Sequence, residues 1–267
     1  MLDAKFYDTL SRLQLRMSHK SSLNMAGGRK SIHKGLSAEF SDFREYMEEK
    51  EAVVCVLIDT SASMDYGEKS KAELARDLAA VVSFLALNNM DRVLLYDMKD
   101  KSRGLSAGWG RNSFAKVLRW VENLSFSGET DMIQAAKKIQ YRGSGVTVII
   151  SDFLHPAMLD QEDTGYEKLL QYLSYRRQRP VILHTMAEEE LRITLEGALN
   201  LIDSETQSKL RLTMDAEVIH NYERELKRLT ERMKKGCQGP RGAYVLCDTG
   251  RDRSQLIFQD LRVIYDI

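Results

Sequence analysis

Asp59-Thr60-Ser61-Ala62-Ser63 sets one carboxylate and two hydroxyls at alternate positions, directly after the apolar run Val53-Val54-Cys55-Val56-Leu57-Ile58. Oxygen donors spaced in this way suit a hard divalent cation. Magnesium takes six oxygens in near-octahedral geometry at about 2.0 to 2.1 Å, so a carboxylate and two hydroxyls make half a shell. The other half must come from elsewhere. Two later stretches qualify: Gly128-Glu129-Thr130-Asp131, a polar turn that opens a helix, and Val146-Thr147-Val148-Ile149-Ile150-Ser151-Asp152, a second apolar run that ends in Asp. A single strand-ending Asp is weak evidence, whereas Asp-x-Ser-x-Ser, Gly-x-Thr-Asp and a strand-ending Asp in that chain order are specific. The competing reading makes Asp59 a helix cap and Ser61 and Ser63 turn residues, which leaves the other two motifs as coincidence.

The elements that must position these residues follow from periodicity. A run of six apolar residues without polar alternation fits a strand buried on both faces, hence a central parallel strand, and open α/β sheets bind ligands at the carboxyl ends of such strands. Residues 69–88 carry the stripe Leu74, Leu78, Val81, Val82 and Leu85 of a helix buried against a sheet. A second strand is expected at 91–97, a short third at 103–107 and the fourth at 146–152. Between the last two lie a helical face from Phe114 to Leu124 and a helix over 131–141, with Trp109 and Trp120 as packing residues. Then come a helix at 166–177, the fifth strand at 180–185, a hairpin of 198–202 with 209–213, and a long helix striped by Ile219, Tyr222, Leu226, Leu229 and Met233. The sixth strand, 243–247, and a closing helix with Leu256, Ile257 and Leu261 follow. Such alternation gives an α/β fold with a doubly wound, mostly parallel sheet in a Rossmann-type three-layer arrangement. In the order 3-2-1-4-5-6 the first and fourth strands are neighbours, which brings Asp59 and Asp152 to one crevice.

The amino-terminal part reads differently. Leu2, Phe6, Leu10, Leu13 and Met17 recur at helical spacing, and from Arg16 to Ala38 there is no acidic residue. Residues 1–50 are therefore expected to be a helix and a flexible basic arm, a solvated loop or, alternatively, a docking surface for an acidic partner or polyanion. Residues 51–267 form the α/β domain, with a hairpin-helix insertion at about 198–236 before the last strand. Lys plus Arg and Asp plus Glu both number 39 in a chain of 267, so no global field draws the protein to nucleic acid or an anionic membrane. Without a span-length apolar run or the apolar stretch of a secretory signal, the sequence reads as soluble and cytoplasmic. Three cysteines make no disulfide framework: Cys55 and Cys247 read as buried strand residues, and Cys237 as a more exposed connector residue. His155, three residues after Asp152, reads as a solvent-facing loop residue.

The three oxygen-rich motifs resemble the metal-ion-dependent adhesion site of the von Willebrand factor A fold. The resemblance carries to Asp59, Ser61, Ser63, Thr130 and Asp152, all five motif positions. Residues 35–46, with Phe40, Phe43 and Tyr46, resemble the amino-terminal signature of a bacterial family known as domain of unknown function 58, whose members place a von Willebrand A-like domain after it. There is one departure: members continue with Gly-Asp-Asp, an Arg and Ile-Asp-Trp, whereas here Tyr46 runs straight into Met47-Glu48-Glu49-Lys50-Glu51. The resemblance implies bound magnesium or manganese whose sixth ligand is an Asp or Glu of a partner protein. The implied role is a non-enzymatic adaptor or co-chaperone beside a MoxR-type AAA ATPase. The rival class is a metal-dependent phosphohydrolase using Asp59. Against it, a haloacid-dehalogenase-like enzyme needs a second Asp where Ser61 stands, and no phosphate-cradling Gly-x-x-x-x-Gly-Lys-Ser/Thr occurs. A polyanion-binding role for the basic arm predicts steeply salt-dependent binding.

Overall fold

The apolar runs become the centre of a six-stranded sheet. The structure is a computed structural model and describes residues 2–15, 52–99, 104–141, 143–154, 165–193, 197–202, 209–237 and 242–266. In chain order its elements are α1 (Ala4–Leu10), β1 (Gln14–Leu15), β2 (Val53–Ile58), α2 (Lys71–Asn88), β3 (Arg92–Asp97) and β4 (Gly104–Gly108). They continue with α3 (Phe114–Glu122), α4 (Met132–Lys138), β5 (Gly145–Ser151), α5 (Gly165–Tyr175), β6 (Gln178–Met186) and α6 (Glu188–Leu191). The last are β7 (Gly197–Ile202), β8 (Lys209–Met214), α7 (Ala216–Gly236), β9 (Ala243–Asp248), α8 (Arg253–Phe258) and β10 (Tyr265–Asp266).

The main sheet runs β4-β3-β2-β5-β6-β9, which is the expected order 3-2-1-4-5-6 when its strands are counted along the chain. Every pairing is parallel except the edge pair of β3 and β4. Both faces are covered, which explains the unbroken apolar runs. Val54, Val56 and Ile58 of β2 pack with Leu74, Val117 and Leu256 of α2, α3 and α8, while Cys55 and Leu57 pack with Ala135, Leu169 and Leu229 of α4, α5 and α7. The hairpin of β7 and β8 is a separate two-stranded sheet between β6 and α7. Among the described residues no helix is long and apolar enough to cross a membrane.

Four details depart from expectation. The helix expected to run from Leu2 to Met17 ends at Leu10, because Leu13 reaches the core through a turn and the backbone of Gln14–Leu15 then pairs antiparallel with Tyr265–Asp266. Cys237 is buried, not exposed, since the last turn of α7 packs on α5 and sets its sulfur 3.1 Å from the Tyr166 hydroxyl. Trp109 is 53% exposed, while Trp120 packs against the core as expected. Helix α4 stops at Lys138, short of Tyr141. The basic arm, the signature at 35–46, the departure after Tyr46 and His155 lie outside the described residues.

Candidate functional site

The register of β2 on β5 builds the site. Ile58 stands opposite Ile150, and the chain leaving β2 keeps the ladder one step further, with Asp59 N donating to Ile150 O at 2.9 Å. Asp59 and Ser151 are therefore neighbours, and Ser151 Oγ donates to Asp59 Oδ2 at 2.6 Å. The other carboxylate oxygen accepts Ser61 N at 3.0 Å, and Ser61 Oγ lies 3.0 Å from Ser63 Oγ. Thr60 points the opposite way and ties the loop to the end of β3 by donating to Asp97 Oδ1 at 2.7 Å. Two backbone bonds hold the later loop against the first: Ala62 N to Gly128 O at 2.8 Å and Ser127 N to Thr60 O at 2.9 Å. Gly128 has φ +67°, a left-handed conformation that glycine takes without strain. Asp131 caps α4 by accepting Gln134 N at 2.9 Å. Thr130 Oγ1 between them is buried and has no hydrogen-bond partner.

Asp152 closes the site from β5. Its Oδ2 accepts Lys71 Nζ at 2.8 Å and its Oδ1 accepts Leu154 N at 3.2 Å. The same ammonium donates to Glu190 Oε1 at 2.6 Å, and Glu190 Oε2 accepts Ala187 N at 2.8 Å. On the backbone side, the Asp152 carbonyl lies 2.9 Å from His184 Nε2, so this ring nitrogen donates and Nδ1 is left to accept from the Tyr244 hydroxyl at 2.8 Å. Phe153 follows with φ +56°, rare for a bulky residue, its ring buried edge-on against Tyr166 and His184. The turn that aims Asp152 is thus held by packing.

Asp59, Ser61, Thr130 and Asp152 are all buried and Ser63 is half-buried. Burial first, then the nearby Asp152 charge, pushes the Asp59 carboxyl above its usual range, while hydrogen bonds from Ser151 and Ser61 work against that rise. Burial opposes the Lys71 charge, but Asp152 and Glu190 more than offset it and hold the ammonium above its ordinary value. Lys71 pairs with Asp152 and Glu190, and Asp59 lies near Asp152, so the strand ends carry a formal excess of negative charge.

The donor set fits a hard cation. Adjacent corners of an octahedron with oxygens at about 2.05 Å lie about 2.9 Å apart, and the two serine oxygens lie 3.0 Å apart. Thr130 Oγ1 is buried and unpartnered on the loop fastened to theirs, and would add a further neutral oxygen. Both Asp carboxylates already accept two protein hydrogen bonds each, which leaves the hydroxyls as the freer ligands. Among the described residues no three His, Cys, Asp or Glu side chains gather as a metal-holding group, so any ion here would depend on those hydroxyls.

Beside the site, Leu154, Tyr222, Leu226 and Leu229 line a groove of about 290 Å³ rimmed by Glu225, Arg228 and Arg232. It begins two residues after Asp152. Lys71, Ser151 and Glu190 were not nominated by motif. The signal for Lys71 was present: it falls on the buried stripe of α2 with Ala75, Leu78 and Val82. Ser151 is the polar end of an otherwise apolar strand, and Glu190 carried no local signal.

A family model described as "Protein of unknown function DUF58" matches residues 39–232, a span that takes in all five motif positions. The chain belongs to DUF58. Among solved structures, this DUF58 protein is similar to the conserved hypothetical protein BatB from Bacteroides thetaiotaomicron. The identity is 13% and the TM-score 0.45, over 80% of this chain and 98% of that one. It is also similar to an aerotolerance-related membrane protein from Bacteroides fragilis, at 14% identity and a TM-score of 0.44 over 79% of this chain and 99% of that one. No curated protein matches the DUF58 chain.

Proposed function

We propose that this DUF58 protein is a non-enzymatic protein-interaction module of von Willebrand factor A type whose working centre is a divalent cation, magnesium or manganese. Ser61, Ser63 and Thr130 would hold the ion through their hydroxyls, with Asp59 and Asp152 supplying the negative charge behind them. A bound ion supplies an electrophilic position for an outside carboxylate. What supports this reading is the meeting of Asp59, Ser61 and Ser63 in one loop beside the Asp152 charge, with the buried, unpartnered Thr130 hydroxyl on a loop fastened to theirs. In this reading residues 51–267 are the A-type domain and 198–236 an insertion.

The partner donates an Asp or Glu, and the adjoining apolar groove favours one flanked by an aliphatic or aromatic residue. A MoxR-type AAA ATPase or one of its clients is the partner class that the resemblance implies. The test is calorimetric titration with magnesium, followed by partner capture with and without chelator. Wild type should bind magnesium and retain the partner only in its presence, and Thr130→Ala should lose both. A partner that stays bound in chelator and to Thr130→Ala would overturn the reading.

A further inference from the structure

Lys71 opens α2 only eight residues after Ser63, yet its side chain turns inward and is buried. Its ammonium lies 2.8 Å from Asp152 Oδ2 and 2.6 Å from Glu190 Oε1, with the Tyr66 ring centroid 5.7 Å away. A buried ammonium loses its hydration and recovers that cost only through close carboxylates. Asp152 is thus shared, with one oxygen committed to a cation that belongs to the chain. An ion drawing on the same carboxylate would meet a positive charge one group away, and like charges in a water-poor site repel across several ångströms. Glu190 gives the ammonium a second resting place, held in position by its own bond from Ala187 N.

We propose that Lys71 is a tethered cation that neutralises Asp152 and Glu190 in the absence of a divalent ion and competes with that ion for Asp152, thereby setting how tightly the ion is held. This deepens the metal reading and rests on it. The arrangement accounts for one lysine bridging two carboxylates: when Asp152 turns its charge to the ion, Lys71 keeps Glu190. It also identifies Lys71 as a positioning residue, since it meets the ion only through Asp152.

The test uses the full chain without a partner, titrated with magnesium and manganese by calorimetry and melted with and without magnesium. Lys71→Met should bind magnesium at least about tenfold more tightly and melt lower than wild type when metal-free. Glu190→Gln leaves the ammonium to Asp152 alone, so magnesium should bind about threefold or more weakly. A merely structural lysine would lower the melting temperature without moving the affinity. Binding by Lys71→Met but not by wild type would support the proposal. Wild-type binding with unchanged affinity in Lys71→Met overturns the proposal and leaves the metal centre standing, whereas binding by neither removes both. If Lys71→Met fails to fold, Glu190→Gln decides, and unchanged affinity there overturns the proposal.

Discussion

Ser151 Oγ donates to Asp59 Oδ2 at 2.6 Å, joining the last residue of β5 to the first residue beyond β2 in the interior of the sheet's carboxyl end. A hydrogen bond to a buried carboxylate is worth more than a neutral one, because the acceptor left alone keeps its full desolvation cost. Asp59 already carries that cost from burial and from Asp152. Ser151→Ala should therefore lower unfolding free energy by about 2 kcal/mol, measured by urea titration. An unchanged urea midpoint would show that the Ser61 amide alone satisfies Asp59.

The cysteines give a pH prediction away from the candidate centre. Burial pushes the Cys55 thiol up from 9.0 to about 12, and burial also raises Cys237 and Cys247. The unfolded chain ionises Cys55 near pH 9, whereas the folded protein holds the proton until about pH 12. The stabilising contribution is complete below pH 9 and is lost as pH rises through that window, about 4 kcal/mol in all for Cys55. Stability should fall steeply above pH 9. An aromatic disulfide reagent at pH 8 should find no reactive thiol among the three until the protein is unfolded, and fast native labelling of Cys237 would contradict its burial against Tyr166.

The groove beside Asp152 allows ion binding and partner binding to be tested separately. Leu226 lines it and is half-buried on α7. Leu226→Glu sets a charge where an apolar partner residue is expected to lie, so partner affinity should fall about tenfold or more. Magnesium affinity should stay within about twofold of wild type, since the change leaves the hydroxyl donors untouched. Loss of magnesium binding in Leu226→Glu would mean that α7 supports the centre directly.

The sheet was legible because its strands are buried on both faces: Val53–Ile58 and Gly145–Ser151 read as apolar runs, and alternation with helices leaves few topologies open. The strand order brought Asp59 and Asp152 together as the sequence implied. Less legible were features made by tertiary contact. Leu13 and Met17 continue the helical spacing of Leu10, but the pairing of Gln14–Leu15 with the carboxyl-terminal strand overrides that local signal. Cys237 looked exposed because it stands in a connector containing Gly and Pro, while its sulfur meets Tyr166 of a helix distant in sequence. Lys71 belongs to no motif, although a lysine on a buried helical stripe demands carboxylate partners. Glu190 becomes significant only when β6 delivers it to Lys71, 119 residues away in sequence.

Variants of Thr130 would separate folding from ion binding most sharply. Its hydroxyl oxygen is buried with no partner, so the metal-free fold carries the cost of a desolvated polar group that nothing repays. Val has the same shape without the hydroxyl. Thr130→Val should raise metal-free stability by about 1 kcal/mol while abolishing the melting-temperature rise expected of wild type in magnesium. Thr130→Ser keeps the oxygen and should retain most of that rise, at some loss of packing from the missing methyl. The two variants thus move stability and ion response in opposite directions, and the magnesium response is what separates the readings: were Thr130 outside the centre, magnesium would act equally on wild type and both variants. A Thr130→Val protein that still gains stability from magnesium would remove Thr130 from the centre and leave Asp59, Ser61, Ser63 and Asp152 to account for the ion.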